Sequence, residues 1–138
     1  MRSKKSLLIY VVEDNRIYNH FVCEYLRKFD YLNVKSFLSG KACIQAVSDG
    51  ESPDIVIQDY FLDDSTGIEV MQAVKEHSKR SEFIFLTVNE NLEEAVNVVR
   101  LGAYDYILKD NDVTLKKVVH NIETVSYTHL TLPTIYSV

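Results

Sequence analysis

No stretch of this chain approaches the ~20 consecutive apolar residues that a membrane span needs. The start, MRSKKSLLIYVVED, is basic, but its apolar run is too short for a signal peptide and ends in acids, so it reads as a first strand. Glycine-rich phosphate loops are missing as well. Neither GxGxxG nor GK[ST] occurs, which removes the common signatures of nucleotide-binding enzymes. Cysteine is scarce. Cys23 and Cys43 have no CxxC spacing and belong to no Cys/His cluster, so they support no metal site. Both lie in apolar helical patterns and are expected to be reduced core thiols. Basic charge is not in excess: the formal net charge is -5, and clusters such as Lys116-Lys117 are short. That argues against direct nucleic-acid binding. His20, His77, His120 and His129 are scattered and pair with no nucleophile. There is no internal repeat and no low-complexity stretch. These absences together lead us to expect a soluble, cytoplasmic protein with no membrane association.

What is present is the material of one ordinary domain: 138 residues, 46% hydrophobic and 25% charged, enough to bury a core. Short apolar runs alternate with helical patterns. Leu7 to Val12 is a continuous apolar run, as a strand buried on both faces requires. Ile17, Phe21, Val22, Tyr25, Leu26 and Phe29 recur at helical spacing, and Asp30 ends the stripe. A more polar second strand is expected from about Tyr31 to Phe37. Ser39-Gly40 opens a short helix with Cys43, Ile44 and Val47 inward, and residues 49–53 form a turn cluster. Ile55-Val56-Ile57 forms a third strand running into Gln58-Asp59. Thr66 with Glu69 fits a capping box, so a helix carries Ile68, Met71 and Val74 inward. Phe83 to Leu86 is a fourth strand ending at Thr87. Asn91 and Glu94 signal another helix start, Leu92, Ala95, Val96 and Val99 make its apolar stripe, and Gly102 stops it. Tyr104 to Leu108 is a fifth strand. Asp112 caps a last helix carrying Leu115, Val118, Val119 and Ile122. Five βα units imply a parallel sheet covered on both faces. Residues 126–138, SYTHLTLPTIYSV, lack a helical stripe and contain Pro133. They are set aside as a non-native scar or disordered tail, the alternative being a native flexible tail or the start of a linker.

In open parallel sheets, ligands bind outside the carboxyl ends of the strands. Strand one ends in Glu13-Asp14, strand three in Asp59 and strand four in Thr87, while Lys109 follows strand five. Three acids, a hydroxyl and an amine thus gather at one sheet edge. Two like charges ~4 Å apart repel by roughly 4 kcal/mol at an effective dielectric of about 20, so a cation must compensate. A hard divalent ion suits oxygen ligands, and Mg²⁺ is apt because it also accepts phosphate oxygens. A carboxylate beside Mg²⁺ and an ammonium can attack a phosphoryl group and form an aspartyl phosphate.

These residues resemble those of the receiver domains of two-component response regulators over about residues 5–124. The acidic pair Glu13-Asp14 fits, as does Asp59 after an apolar strand. Gly67 lies eight residues later, Thr87 stands at the switch hydroxyl position, and Gly102 to Tyr106 followed by Lys109 resembles the fifth-strand motif. The resemblance implies a flavodoxin-like (βα)5 fold, a doubly wound parallel sheet in strand order 2-1-3-4-5. It implies Asp59 as phosphoacceptor and Asp14 and Asp59 as direct Mg²⁺ ligands. Glu13 would act through water, and the Phe61 backbone carbonyl would be a further ligand. Lys109 would contact the phosphoryl group, and Thr87 with Tyr106 would form the switch pair. The partner would be a sensor histidine kinase or phosphotransfer protein. The output would be a two-state face near the fourth helix, fifth strand and fifth helix, the same elements through which a homodimer would form. Arg100 and Leu101 lie there, as partner face or solvated surface. A complete shift between states needs about 5.5 kcal/mol of differential stabilisation.

The chain departs from the family's pattern at three places. Asp63 and Asp110 stand where proline is common, and Val88 where alanine is common. A cis bond at Lys109-Asp110 would cost ~3 kcal/mol without a proline. Val88 should crowd the acyl phosphate and alter kinetics. Asp63 and Asp64 read as a solvated turn. The implied role is that of a regulatory domain, not an enzyme beyond its own phosphorylation and dephosphorylation. One rival is a receiver-like interaction module that is never phosphorylated. Another is an aspartyl phosphatase, which usually has a second Asp two residues after the nucleophile, where this chain has Phe61.

Overall fold

The structure is a computed structural model that describes residues 4–136 except Glu90 and Asn111; at Asp112 and in residues 128–136 the backbone alone is described. After a 3-10 turn at Lys4–Ser6, five strands alternate with five helices: β1 (Ile9–Val12), α1 (Arg16–Lys28), β2 (Val34–Phe37), α2 (Gly40–Ser48), β3 (Ile55–Asp59), α3 (Gly67–His77), β4 (Glu82–Thr87), α4 (Leu92–Arg100), β5 (Asp105–Leu108) and α5 (Asp112–Tyr136). The strands form one parallel sheet in the order β2-β1-β3-β4-β5, as expected.

The alternation of side chains along each strand divides the core in two. Ile9, Val11, Ile55, Ile57, Ile84 and Leu86 face α1 and α5, where Val22, Leu26, Val118 and Ile122 meet them. Tyr10, Val12, Val56, Phe83 and Phe85 face α2, α3 and α4, where Cys43, Val70, Met71 and Val98 meet them. Both cysteines are buried free thiols, and burial pushes the Cys43 thiol up to about 12, consistent with an inert core role.

Local chemistry sets the helix starts. Asn15, Ser39, Thr66 and Asn91 each accept a backbone N–H from the first turn, and Thr66 with Glu69 forms the full capping box. Thr66→Ala removes the hydroxyl that accepts the Glu69 N–H and leaves the Thr66 N–H bonded to the Glu69 side chain, and about 1 kcal/mol of stability should be lost in a urea titration. The helix ends follow the same logic. Asp30 takes a left-handed φ of 71° beyond the C-cap Phe29, and Gly102 takes 115° after α4.

Three expectations are corrected. The α1 stripe does not all point inward: Ile17 is 84% and Phe21 56% exposed, because the buried arc runs through Asn19, Val22, Cys23 and Leu26. The α4 stripe faces outward. Leu92, Val96 and Val99 are exposed and Val98 alone is buried, since α4 lays a narrow edge on the sheet. Strand β2 is shorter than expected; Tyr31 is buried in the core, but as part of the approach to the strand. The backbone of α5 runs as helix to Tyr136, within the segment set aside as a tail. Its core contacts run to Val125, and Tyr127 beyond it is exposed. Asp112 is the first residue of α5, and its side chain lies outside the described residues. Among the described residues no helix is long and apolar enough to cross a membrane.

Candidate functional site

The sheet's register delivers the expected residues to one edge. Asp59 is the last residue of β3 and pairs with Leu86, which puts Thr87 one step further along β4. Thr87 pairs with Leu108, so Lys109 follows at the same level, and its N–H donates to the Thr87 carbonyl at 2.6 Å. Glu13 and Asp14 follow β1, and the Glu13 N–H donates to the Phe37 carbonyl at 3.0 Å. One carboxylate oxygen from each of Glu13, Asp14 and Asp59 lies within 4.8 Å of the others.

Lys109 ties this cluster together. Its ammonium donates to Asp59 Oδ2 at 2.9 Å and to Glu13 Oε1, with only 11% of the side chain exposed. Burial by itself would lower the lysine's pKa; the hydrogen bonds to Glu13 and Asp59 and their negative charges overcome it and raise it. On Glu13 the balance is reversed. Burial raises its pKa, and the Lys109 ammonium and the Asn15 N–H offset only part of that. Unlike Glu13, which is buried, Asp14 and Asp59 keep partial access to solvent. Three hard oxygen donors of this kind, open on one side, fit the expected small divalent cation.

The loop after β3 is anchored on the same cluster. The Phe61 N–H donates to Asp59 Oδ1 at 3.2 Å and the Asp63 N–H to Asp14 Oδ2 at 2.8 Å. Asp63 is exposed, and the Asp14 charge raises its carboxyl. Asp64 lies in an exposed turn, as expected, and also caps α2: its carboxylate accepts the N–H groups of Gly40 and Lys41 at 3.0 and 2.9 Å. Partial desolvation raises its pKa, and those two N–H groups more than offset it, so it lies below the ordinary value. No peptide bond among the described residues is cis.

Thr87 is buried, and its hydroxyl accepts the Asn89 N–H at 3.2 Å. Tyr106 is half-buried and reaches across to the β4–α4 loop. Its hydroxyl donates toward the Asn89 carbonyl at 3.3 Å and the Glu94 carboxylate at 3.1 Å. Burial raises the Tyr106 phenol, a hydrogen bond with Thr87 draws it down, and Glu94 raises it again. Thr87 and Tyr106 thus meet at Asn89, the first through its N–H and the second through its carbonyl. Tyr60, next to Asp59, stacks edge-on with Phe61 and Tyr106 at centroid distances of 4.7 and 6.5 Å.

Three contributors had no sequence signal of their own. Gln58 is buried and donates to the Gly67 carbonyl at 2.7 Å, fixing the start of α3 against β3. Asn19 is buried and donates to the carbonyls of Glu13 and Phe37, each at 3.0 Å, holding the β1 exit in place. Tyr18 lies beneath Lys109 with the ammonium 4.4 Å from its ring centroid. His20, His77 and His120 are exposed and lie outside the acidic cluster; the side chain of His129 is outside the described residues.

A doubly wound (βα)5 sheet with three acids and a half-buried lysine at the carboxyl edge defines a class of α/β domain with an acidic, cation-ready site. Residues 9–120 match the family model for the response regulator receiver domain, and the chain belongs to that family. It is 30% identical over 111 residues to the regulatory protein LuxO of Vibrio cholerae, covering 80% of this chain and 24% of that protein. It is 29% identical over 106 residues to the transcriptional regulatory protein PcoR of Escherichia coli, covering 77% of this chain and 46% of the relative. The chain thus spans under half the length of these relatives. Among solved structures, a receiver domain protein from Clostridium thermocellum superposes with a TM-score of 0.80 at 21% identity, over 91% of this chain and 98% of the other. The BeF3-activated receiver domain of DrrB, a Thermotoga maritima protein, superposes with a TM-score of 0.71 at 28% identity, over 85% and 97% of the two chains. As a receiver, the chain is a regulatory domain of two-component signalling and not a classical enzyme.

Proposed function

We propose that this domain relays a signal by accepting a phosphoryl group on Asp59 from a sensor histidine kinase or phosphotransfer protein, with Mg²⁺ present. The observation that carries the proposal is Lys109, whose ammonium bridges Glu13 and Asp59 at the open edge of the sheet. Asp14 and Asp59 would hold the ion directly, with Glu13 acting through water and the Phe61 carbonyl as a further ligand. When bound, Mg²⁺ would offset negative charge on the acids and on the incoming phosphoryl oxygens. The chain's own residues do the rest. Asp59 presents a carboxylate oxygen to phosphorus, the P–N bond to the donor's histidine breaks with its electron pair going to the departing imidazole, and Lys109 moves from that carboxylate to a phosphoryl oxygen. Thr87 gives up its contact within the β4–α4 loop to donate to another oxygen. Tyr106, released from Asn89 and Glu94, turns inward, and the face formed by α4, β5 and α5 changes shape. The exposed Leu92, Val96 and Val99 lie on that face, where a homodimer would form in the cytoplasm.

The proposal is tested by intact mass after incubation with Mg²⁺ and phosphoramidate, and then with a histidine-phosphorylated donor. One added phosphoryl group is expected, and none when a chelator is present from the start. Unchanged mass with both donors would leave an interaction module that signals without phosphorylation. Turnover of an external phosphate ester would instead favour a phosphatase. Val88 follows Thr87 and is 67% exposed. Val88→Ala should open the acyl phosphate to water, so the phosphorylated form should decay faster than the unaltered chain in a mass time course.

A further inference from the structure

We infer that Tyr18 is a positioning residue for the phosphoryl transfer, its ring serving as an uncharged third partner that keeps the Lys109 ammonium aimed at the acidic cluster. The inference rests on Asp59 being the acceptor proposed above. Lysine carries its charge on a long flexible stem with three donors. Two directions are taken by Glu13 and Asp59, from β1 and β3. The third is closed by the Tyr18 ring, contributed by α1, with the ammonium 4.4 Å from its centroid. The helix start fixes the ring in place. Asn15 caps α1, its side-chain oxygen accepts the Tyr18 N–H at 2.9 Å, and the half-buried Tyr18 packs against the core.

The chemistry of that third partner matters. A carboxylate there would neutralise Lys109 and add repulsion to three acids already close together. Water there would leave the ammonium free to swing into the groove of about 410 Å³ that Tyr18, Phe21, Tyr25 and Leu115 line beside it. An aromatic face attracts the cation without adding net charge. It is also tolerant of small displacements, so when the ammonium leaves the Asp59 carboxylate for a phosphoryl oxygen it keeps its contact with the ring. Burial raises the Tyr18 phenol, which keeps the ring neutral.

The test compares Tyr18→Leu, which keeps apolar bulk and loses the ring, with Tyr18→Phe, which keeps the ring. With Mg²⁺ and phosphoramidate, the phosphorylation rate in Tyr18→Leu should fall about tenfold, the scale of a half-desolvated cation–ring contact. Tyr18→Phe should restore most of the rate. In a Lys109→Met background, Tyr18→Leu should cost nothing further, whereas damage to packing would slow that background as much as the unaltered chain and would overturn the inference. An independent measurement needs neither phosphorylation nor a variant. The ε-methylene protons of Lys109 in the full chain should resonate upfield of those of exposed lysines, through the ring current of Tyr18. Ordinary lysine shifts would overturn the inference. If the unaltered chain takes no phosphoryl group, the proposed function fails, and the ring-current shift still decides the placement of Tyr18.

Discussion

Replacing Lys109 with methionine should move two quantities in opposite directions: Mg²⁺ should bind more tightly and phosphoryl transfer should slow. The ammonium lies on Glu13 and Asp59, two of the three acids that fit the ion. It therefore competes with the cation for the same negative charge. Removing one positive charge a few ångströms from the site should raise Mg²⁺ affinity by about tenfold, more at low salt. The same change removes a charged donor from the transferring phosphoryl group. The loss of one such donor typically slows a reaction by about 10²-fold, so phosphorylation by phosphoramidate should fall by about that factor at saturating Mg²⁺. Calorimetric titration and a mass time course read the two. Structural damage would weaken both together, and a fall in Mg²⁺ affinity with Lys109→Met would contradict the electrostatic account.

The second large effect is expected at Gly67, where Gly67→Ala should cost about 2–3 kcal/mol by overpacking. A Cβ on Gly67 would stand 2.9 Å from the Asp59 carbonyl and 2.5 Å from the Phe85 ring, with the Gln58 amide at 3.2 Å. The first of these is backbone in the central part of the sheet. It cannot yield without displacing Asp59 itself, and the Gly67 N–H and carbonyl are already bound to the Tyr60 carbonyl and Gln58. The glycine thus serves close approach of α3 to β3. Guanidinium unfolding should show a lower midpoint at unchanged slope, with slower phosphorylation of the folded fraction. A midpoint within experimental scatter of the unaltered chain would mean that the helix can move away freely.

The strands and the site residues were legible in the sequence because buried parallel strands are written as unbroken apolar runs. Asp59, Thr87 and Lys109 each close or follow such a run, so topology alone carries them to one edge. Glu13 and Asp14 follow β1 in the same way. The helices were less legible. Apolar residues at helical spacing show that a face exists without showing which way it turns. In α4 the stripe through Leu92, Val96 and Val99 points outward and Val98 points inward, because the sheet accepts only a narrow edge of that helix. In α1 the polar Asn19 is buried while Ile17 is exposed, since the carbonyls of Glu13 and Phe37 need its amide. The supporting residues had no pattern to read. Gln58, Asn19 and Tyr18 act through long-range contacts. Asp64 caps a helix 24 residues earlier in the chain, which spacing along the sequence cannot reveal.

The central claim is that Asp59, and no neighbouring acid, takes the phosphoryl group, and it is tested most directly by locating that group. Reducing the phosphorylated chain with borohydride and sequencing its peptides by mass spectrometry should place the modification on Asp59 alone, and Asp59→Asn should show none. Modification at Glu13, Asp14 or Asp63, or labelling that survives Asp59→Asn, would contradict it.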